Sequence, residues 1–304
     1  MYTHGFHDQI QSIVNSRLPR AQASLKDYET RKKSGPCFPG TREALLGEMM
    51  DWARATKPDE SRMYVLSGLA GIGKSTVVYT LATQADELGL LGASFFFSRD
   101  YDDRNNAKRF FTTIAYQLCA CNEMFAKAIG DVLLTERGFA ATTQDPREQL
   151  KVLILDPLQS IVQSCSPQIL IVVDALDECD EEDAFSVLTG LSQLVQHLPS
   201  FKVIVSTRPQ PYLEHFLSSP GSHKFFHLQD IEDKVVDSDI KLYLNHSLSL
   251  DEVQKRFPKS SLMSANATSR FAIYSQACKY RISFDSKCID TTYQIPLNLC
   301  KSPI

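Results

Sequence analysis

Residues 68–76 read GLAGIGKST, and this stretch constrains the fold more than any other. Gly68, Gly73, Lys74 and Ser75 match the spacing G-x-x-x-x-G-K-[ST], with an apolar run, MYVLSG (63–68), ahead of it and a helical pattern over 74–87 behind it. Glycines at 68, 71 and 73 let a backbone curl until its N–H groups point inward at anionic oxygens. A helix that opens there adds the positive end of its dipole. The spacing predicts a strand–loop–helix that cradles phosphate through Gly68, Gly71, Ile72, Gly73, Lys74, Ser75 and Thr76. Lys74 is expected on the β- and γ-phosphates, the Ser75 hydroxyl on Mg²⁺, and Thr76 on the α-phosphate side.

Around this motif, short apolar runs alternate with helical patterns. Further strands are expected at 92–97 (GASFFF), 168–173 (QILIVV), 201–206 (FKVIVS) and 224–228 (KFFHL). The unbroken apolar run in QILIVV fits a strand covered on both faces. Helices are expected at 42–54, 107–118, 146–163 and 183–197 from apolar residues at helical spacing. Leu45, Leu46, Met49, Trp52 and Ala53 mark the first, with Thr41 as its N-cap; Phe110, Phe111, Ile114, Ala115 and Leu118 mark the second. Asp145 and Pro146 open the third. Such alternation implies βαβ units, so the fold class is α/β, with a mostly parallel five-stranded sheet flanked by helices.

Two further strings carry chemistry. In ILIVVDALDECD, Asp174 ends an apolar strand, where a carboxylate can join the shell of a Mg²⁺ ion. Ala175 is small enough for close backbone approach. Asp177 and Glu178 are candidates to orient and activate an attacking water, whereas Asp180, Glu181, Glu182 and Asp183 suit the first turn of a helix. In FKVIVSTRPQ, Thr207 and Arg208 end a buried strand at the sheet edge where α/β folds bind nucleotides. Arg208 is placed to sense a γ-phosphate through charge-assisted hydrogen bonds. Arg99 and Arg104 follow the second strand and read as ordinary solvated charges, set against a contact with phosphate or a neighbouring subunit.

Composition narrows the classes. The chain has 304 residues, 43% hydrophobic and 22% charged, which excludes a fibrous or wholly disordered protein. Its net charge of −4 leaves no basic footprint, so no nucleic-acid partner is expected. No apolar run approaches the roughly 20 residues of a membrane helix. The N-terminus lacks a signal-peptide core, and the eight cysteines show no disulfide framework, so a cytoplasmic location is expected. Residues 1–36 read as an N-terminal helix or linker, 37–230 as the nucleotide-binding domain, and 231–258 as the start of a helical arm. Residues 259–304 form an atypical tail, set against a coding artefact or a small helical extension. Over 251–304 eight basic residues face four acidic ones, with little periodicity.

The motifs together resemble the NACHT family of STAND-type P-loop NTPases, nearest to the nephrocystin-like N-terminal NACHT module of mushroom-forming fungi. CFPGTREALLGEMMDW, FFFSRDYDDRNNAKRFFTTIAYQL, VVDALDECD and VIVSTRP carry the likeness, which covers about 37–247. It implies binding of ATP or GTP with Mg²⁺, slow hydrolysis, and a nucleotide-controlled signalling switch. It also implies self-association or association with other NACHT proteins, and places Gly40, Thr41 and Arg42 near the base or ribose. Relatives continue into a winged-helix region and a sensor array, so the chain reads as C-terminally truncated. That truncation gives a second reading: a non-catalytic nucleotide-binding or scaffold protein that associates with longer paralogues. The acidic pair after Asp174 and the lack of an Arg-rich lid argue against a small-molecule kinase.

Overall fold

Five apolar runs pair into one sheet in the computed structural model, which describes residues 3–31, 35–56, 61–162, 168–211, 216 and 223–247. The strands are β1 (Met63–Ser67), β2 (Leu91–Phe96), β3 (Ile169–Asp174), β4 (Phe201–Thr207) and β5 (His223–His227). They lie in the order β2-β3-β4-β1-β5, and every pairing is parallel. Parallel neighbours need crossovers, which the helices supply. All residues of β1 and β4 are buried, as are all but the first of β3. This is the burial that continuous apolar strands predict when helices cover both faces. The expected strands and the α/β class are therefore present, each strand within a residue of its expected ends.

The register carries function. Ser67 sits beside Thr207 at the ends of β1 and β4, while β3 runs beside β4 with Val173 opposite Val205. Three loops consequently emerge side by side from the C-terminal edge of the sheet: the glycine-rich loop after β1, the acidic turn after β3, and the Thr207–Arg208 corner after β4. Gly92 lets β2 lie close to Ile169 of β3; a Cβ there would lie 2.3 Å from Ile169 Cγ2.

In the first half of the chain the helices are α1 (Thr3–Arg17), α2 (Leu25–Arg31), α3 (Glu43–Arg54), α4 (Lys74–Glu87), α5 (Phe110–Cys121), α6 (Glu123–Leu133) and α7 (Glu136–Ala141). They continue with α8 (Pro146–Leu150), α9 (Asp156–Val162), α10 (Glu181–His197) and α11 (Asp233–Ser247). Phe110, Phe111, Ile114, Ala115 and Leu118 of α5 are all buried, as their spacing predicts. Asp145 caps α8, accepting from the N–H groups of Arg147 and Glu148, with Pro146 in the first turn.

Four expectations are corrected. The helix at 146–163 is interrupted by a π-helical segment, Lys151–Leu155, in which the Asp156 N–H reaches back to the Lys151 carbonyl. Pro157 stands one residue beyond that segment, after Asp156, and has no N–H to continue an α-helical ladder, so the backbone widens before it. Thr41 does not cap α3; Arg42 occupies the N-cap position in the left-handed region at φ 57° without a side-chain cap, and the Thr41 hydroxyl donates to the Phe38 carbonyl instead. The stretch 107–109 is a turn, and α5 begins only at Phe110. Finally, the described part of 1–36 holds a helix, α1, whose apolar residues join the main core, so this part is not a free linker. Ile10, Val14 and Leu18 recur four apart and enter the main core, while Gly130 of α6 lets Ile10 approach to where a Cβ would be 3.0 Å away. Helices α2, α6 and α7 were not expected, although Asn122 caps α6 and Thr135 caps α7 through side-chain oxygens.

The chain divides into one unit of Met1–Leu69 with Lys74–Asp233, and a second of Ala70–Gly73 with the residues from Lys234 onward. Helix α11 stands where the helical arm was expected; residues 248–258 of that arm and the 259–304 tail lie outside the described residues. Among the described residues no helix is long and apolar enough to cross a membrane.

Core membership of the N-terminal helix is testable. Val14→Asp places a charge at a site with no exposed surface, and should cost about 3 kcal/mol or more of unfolding free energy. Urea denaturation of the whole chain measures it; a change within about 0.5 kcal/mol is what a mere linker would give.

Candidate functional site

The site is built on a carboxylate that the sheet carries into its interior. Asp174 ends β3 and is only 3% exposed. The Ser206 hydroxyl, on β4, donates to Asp174 Oδ1 and accepts from the Ala175 N–H at 3.0 Å. One hydroxyl thus fixes both the side chain of Asp174 and the direction the chain takes after it. Burial pushes the Asp174 carboxyl above the ordinary carboxylate range, against hydrogen bonds from Ser206 and Ser75 and the charge of Lys74. Ala175 turns the chain in the left-handed region, φ 56° and ψ 46°, a conformation unfavourable for a residue with a Cβ. The 3₁₀ turn Leu176–Glu178 comes next.

The acidic pair divides its work. Asp177 turns inward: its Oδ1 accepts the Arg208 N–H at 3.0 Å, and its Oδ2 lies 3.0 Å from Arg208 Nε. Arg99 donates from Nη2 to the Asp177 carbonyl at 2.9 Å. Glu178 instead lines a cavity of about 250 Å³ together with Ser75, Asp174, Ala175, Tyr28, Phe96, Phe97, Ser98, Tyr101 and Arg104. Its Oε2 accepts the Arg99 N–H at 3.2 Å. Asp177 and Glu178 were both expected as bases, yet the structure brings only Glu178 to the cavity.

Lys74 opens α4 and is buried; its Nζ donates to the carbonyls of Gly68 at 2.7 Å and Leu69 at 2.8 Å. Burial lowers its pKa, opposed by the carboxylates of Asp177, Asp174 and Glu178. In the loop itself Gly71 and Gly73 adopt φ of 80° and 99°, the conformations for which glycine was expected there. The Gly68 N–H donates to the Thr207 carbonyl at 3.2 Å, tying the start of the loop to the end of β4. Ile72 is buried, and the Thr76 carbonyl accepts from the Thr80 hydroxyl. Thr41 and Arg42 are not among the residues lining the cavity.

Arg104 is the clearest departure from expectation. It is 5% exposed rather than solvated, holds the Asp103 carboxylate through Nε at 2.8 Å and Nη2 at 3.0 Å, and lies 4.7 Å from the Tyr101 ring centre. A lone Arg after a strand gives no sign of burial; the adjacent Asp103 was the available hint. Ser206 was also missed, and its signal was a hydroxyl within an otherwise apolar strand.

The donor set fits a hard divalent ion. One carboxylate, Asp174, and one hydroxyl, Ser75, converge, and among the described residues no group of three or more His, Cys, Asp or Glu could hold a metal ion. A Mg²⁺ ion tolerates this, since it takes few protein ligands and fills its octahedron with phosphate oxygens and water.

The family described as nephrocystin 3, N-terminal, matches residues 40–208, more than half the chain. None of the curated proteins matches. Among solved structures, a signal transduction ATPase with numerous domains (STAND) protein with a tetratricopeptide repeat sensor, from Pyrococcus horikoshii, is 17% identical at a TM-score of 0.42. The alignment covers 79% of this chain and 28% of that one. A Walker-type ATPase from Pyrococcus abyssi is 11% identical at 0.43, covering 73% and 64%. The Aeropyrum pernix ORC1 protein, solved in complex with DNA, is 19% identical at 0.37, covering 72% and 55%. The chain spans less than two thirds of the length of each.

Ser206→Ala removes a shared partner of Asp174 and Ala175, and should lower the unfolding free energy by about 1–3 kcal/mol. Chemical denaturation reports this; an unchanged midpoint would mean the hydroxyl has no part in holding the turn.

Proposed function

The chain belongs to the nephrocystin 3 N-terminal family, and from that premise we propose that it binds a nucleoside triphosphate, ATP or GTP, with Mg²⁺ and hydrolyses it slowly, as a nucleotide-controlled switch of the NACHT/STAND type. One observation carries the reading: Ser75 at the start of α4, and Asp174 and Glu178 from the end of β3 and the turn after it, line one cavity at the C-terminal edge of a parallel sheet. Buried Lys74 stands beside them on the same helix start as Ser75.

Each residue then has a task. The backbone N–H groups of the glycine-rich loop and the start of α4 receive the phosphates. Lys74 exchanges two neutral carbonyl acceptors for charged phosphate oxygens, roughly doubling the strength of each hydrogen bond. Ser75 and Asp174 would hold Mg²⁺, which when bound neutralises charge on the β- and γ-phosphates. Glu178, free of the ion pair that occupies Asp177, orients the attacking water and accepts its proton. Asp177 aims Arg208, whose side chain keeps 40% exposure and so can exchange its carboxylate partner for a γ-phosphate. That exchange is the event a switch needs, because the ligand's charge decides which anion Arg208 holds.

Lys74→Ala should weaken nucleotide affinity by roughly a hundredfold, about 2.7 kcal/mol, in a titration with Mg²⁺. Parent-like affinity would remove the phosphate loop from the site. Glu178→Gln should keep affinity and slow phosphate release by about 10²-fold or more, whereas Asp177→Asn should loosen Arg208 and reduce the preference for triphosphate over diphosphate. Equal loss of turnover in both variants, with no change in that preference, would return the base to the pair as a whole.

A further inference from the structure

Residues 20–28 precede the family match yet run along β2 toward the cavity. The Ala21 N–H donates to Thr113 Oγ1 at 2.9 Å, the Phe96 N–H to the Ala23 carbonyl at 2.8 Å, and the Leu25 N–H to Ser94 Oγ at 2.8 Å. Tyr28 stacks on Phe96 with ring centres 4.4 Å apart and forms part of the cavity wall. The tightest grip is at Gln22. Its N–H donates to Asp103 Oδ2 at 2.9 Å, and its carbonyl accepts from Arg104 Nη1. Two adjacent, mutually paired side chains therefore hold both backbone groups of one residue.

Asp103 and Arg104 belong to the loop 97–105, and that loop is fastened to the acidic turn. The Phe97 N–H donates to the Asp174 carbonyl at 3.1 Å, the Arg99 N–H to Glu178 Oε2, Arg99 Nη2 to the Asp177 carbonyl, and the Asp180 N–H to the Asn105 carbonyl at 3.1 Å. The loop is closed on itself by the Ser98 N–H donating to the Arg104 carbonyl at 3.2 Å. The Glu178 carboxylate is thus held by a backbone N–H from across the cavity, on a loop that follows a different strand from its own.

We infer that Arg104 is a positioning residue and that residues 20–28 are a strap which, through the loop 97–105, sets Glu178 against the cavity. This rests on the reading that Glu178 orients water. The physical reason is that a carboxylate on a three-residue turn has few contacts of its own, so its aim is set by whatever holds the partner N–H of Arg99. Arg104 is buried and bridges the strap to that partner's loop. A segment outside the matched region thereby becomes part of the water-facing wall.

The test uses the full chain with two variants, Arg104→Met, which removes the loop's grip on Gln22, and Tyr28→Ala, at the other end of the strap, with Tyr28→Phe as the conservative comparison. Amide hydrogen exchange is measured on the nucleotide-free protein, and nucleotide affinity and phosphate release are measured beside it. Both variants should speed exchange over 97–105 and 174–180 by about tenfold, with 63–66 and 201–205 unchanged. Turnover should fall about tenfold with affinity retained, and Tyr28→Phe, which keeps the stacked ring, should lose less than Tyr28→Ala in both exchange protection and turnover. Parent-like exchange over 97–105 and 174–180 in an active chain would overturn the positioning role and leave the hydrolytic reading standing. A parent that binds nucleotide without Lys74-dependent phosphate release would sink the hydrolytic reading, and the role given to Arg104 with it.

Discussion

A carboxylate at the buried end of a central strand costs several kcal/mol unless its surroundings answer it, and the answer to Asp174 organises everything near it. Ser206 and Ser75 bring hydroxyls from β4 and the start of α4, and Lys74 brings a charge. These groups lie on different elements, so they meet only if β3, β4 and β1 pair in one register. The pairing in turn requires strands apolar on both faces, which is what the runs at 63–67, 169–173 and 201–205 supply. Charge, sheet order and apolar pattern are therefore one constraint seen at three scales.

The same logic explains why two neighbouring acids differ. Asp177 is driven inward by the 3₁₀ turn and meets Arg208, whose N–H and Nε both reach it. A bidentate charge-assisted contact of this kind immobilises a carboxylate. One residue later the turn has rotated far enough that Glu178 faces the cavity. The left-handed backbone at Ala175 makes that rotation possible, so the strain there is bound up with the separation of the two roles.

Much of this was legible in the sequence. Strand runs with unbroken apolar character, a glycine-rich loop at fixed spacing, and an acid at the end of an apolar strand each report a local requirement, and local requirements can be read locally. What escaped reading was relational. Arg104 reads as a surface charge because its partner groups, the Gln22 carbonyl and the Asp103 carboxylate, become relevant only once residues 20–28 run beside β2. Ser206 reads as strand filler until β3 lies alongside it. The π-helical turn before Pro157 was present in the sequence as a missing N–H, and the helical spacing on either side of it concealed the break. Ile10, Val14 and Leu18 repeat at helical spacing, but polar neighbours thin the stripe, and only contact with α6 reveals it as core.

These differences in reach bear on how such a site can change state. Asp174 is rooted in a strand with partners on both sides, whereas Glu178 sits on a short turn held from outside by a loop, and β2, which precedes that loop, is an edge strand of the sheet. An edge strand exposes unpaired backbone groups unless something covers it; here residues 20–28 supply backbone and side-chain partners to Phe96 and Ser94. Local opening follows the density of buried contacts, and segments that move during function come from the less stable end of that range. Asp174 is thus fixed by the centre of the fold and Glu178 by its margin. A change at the margin can alter the position of Glu178 without disturbing the Asp174 cluster.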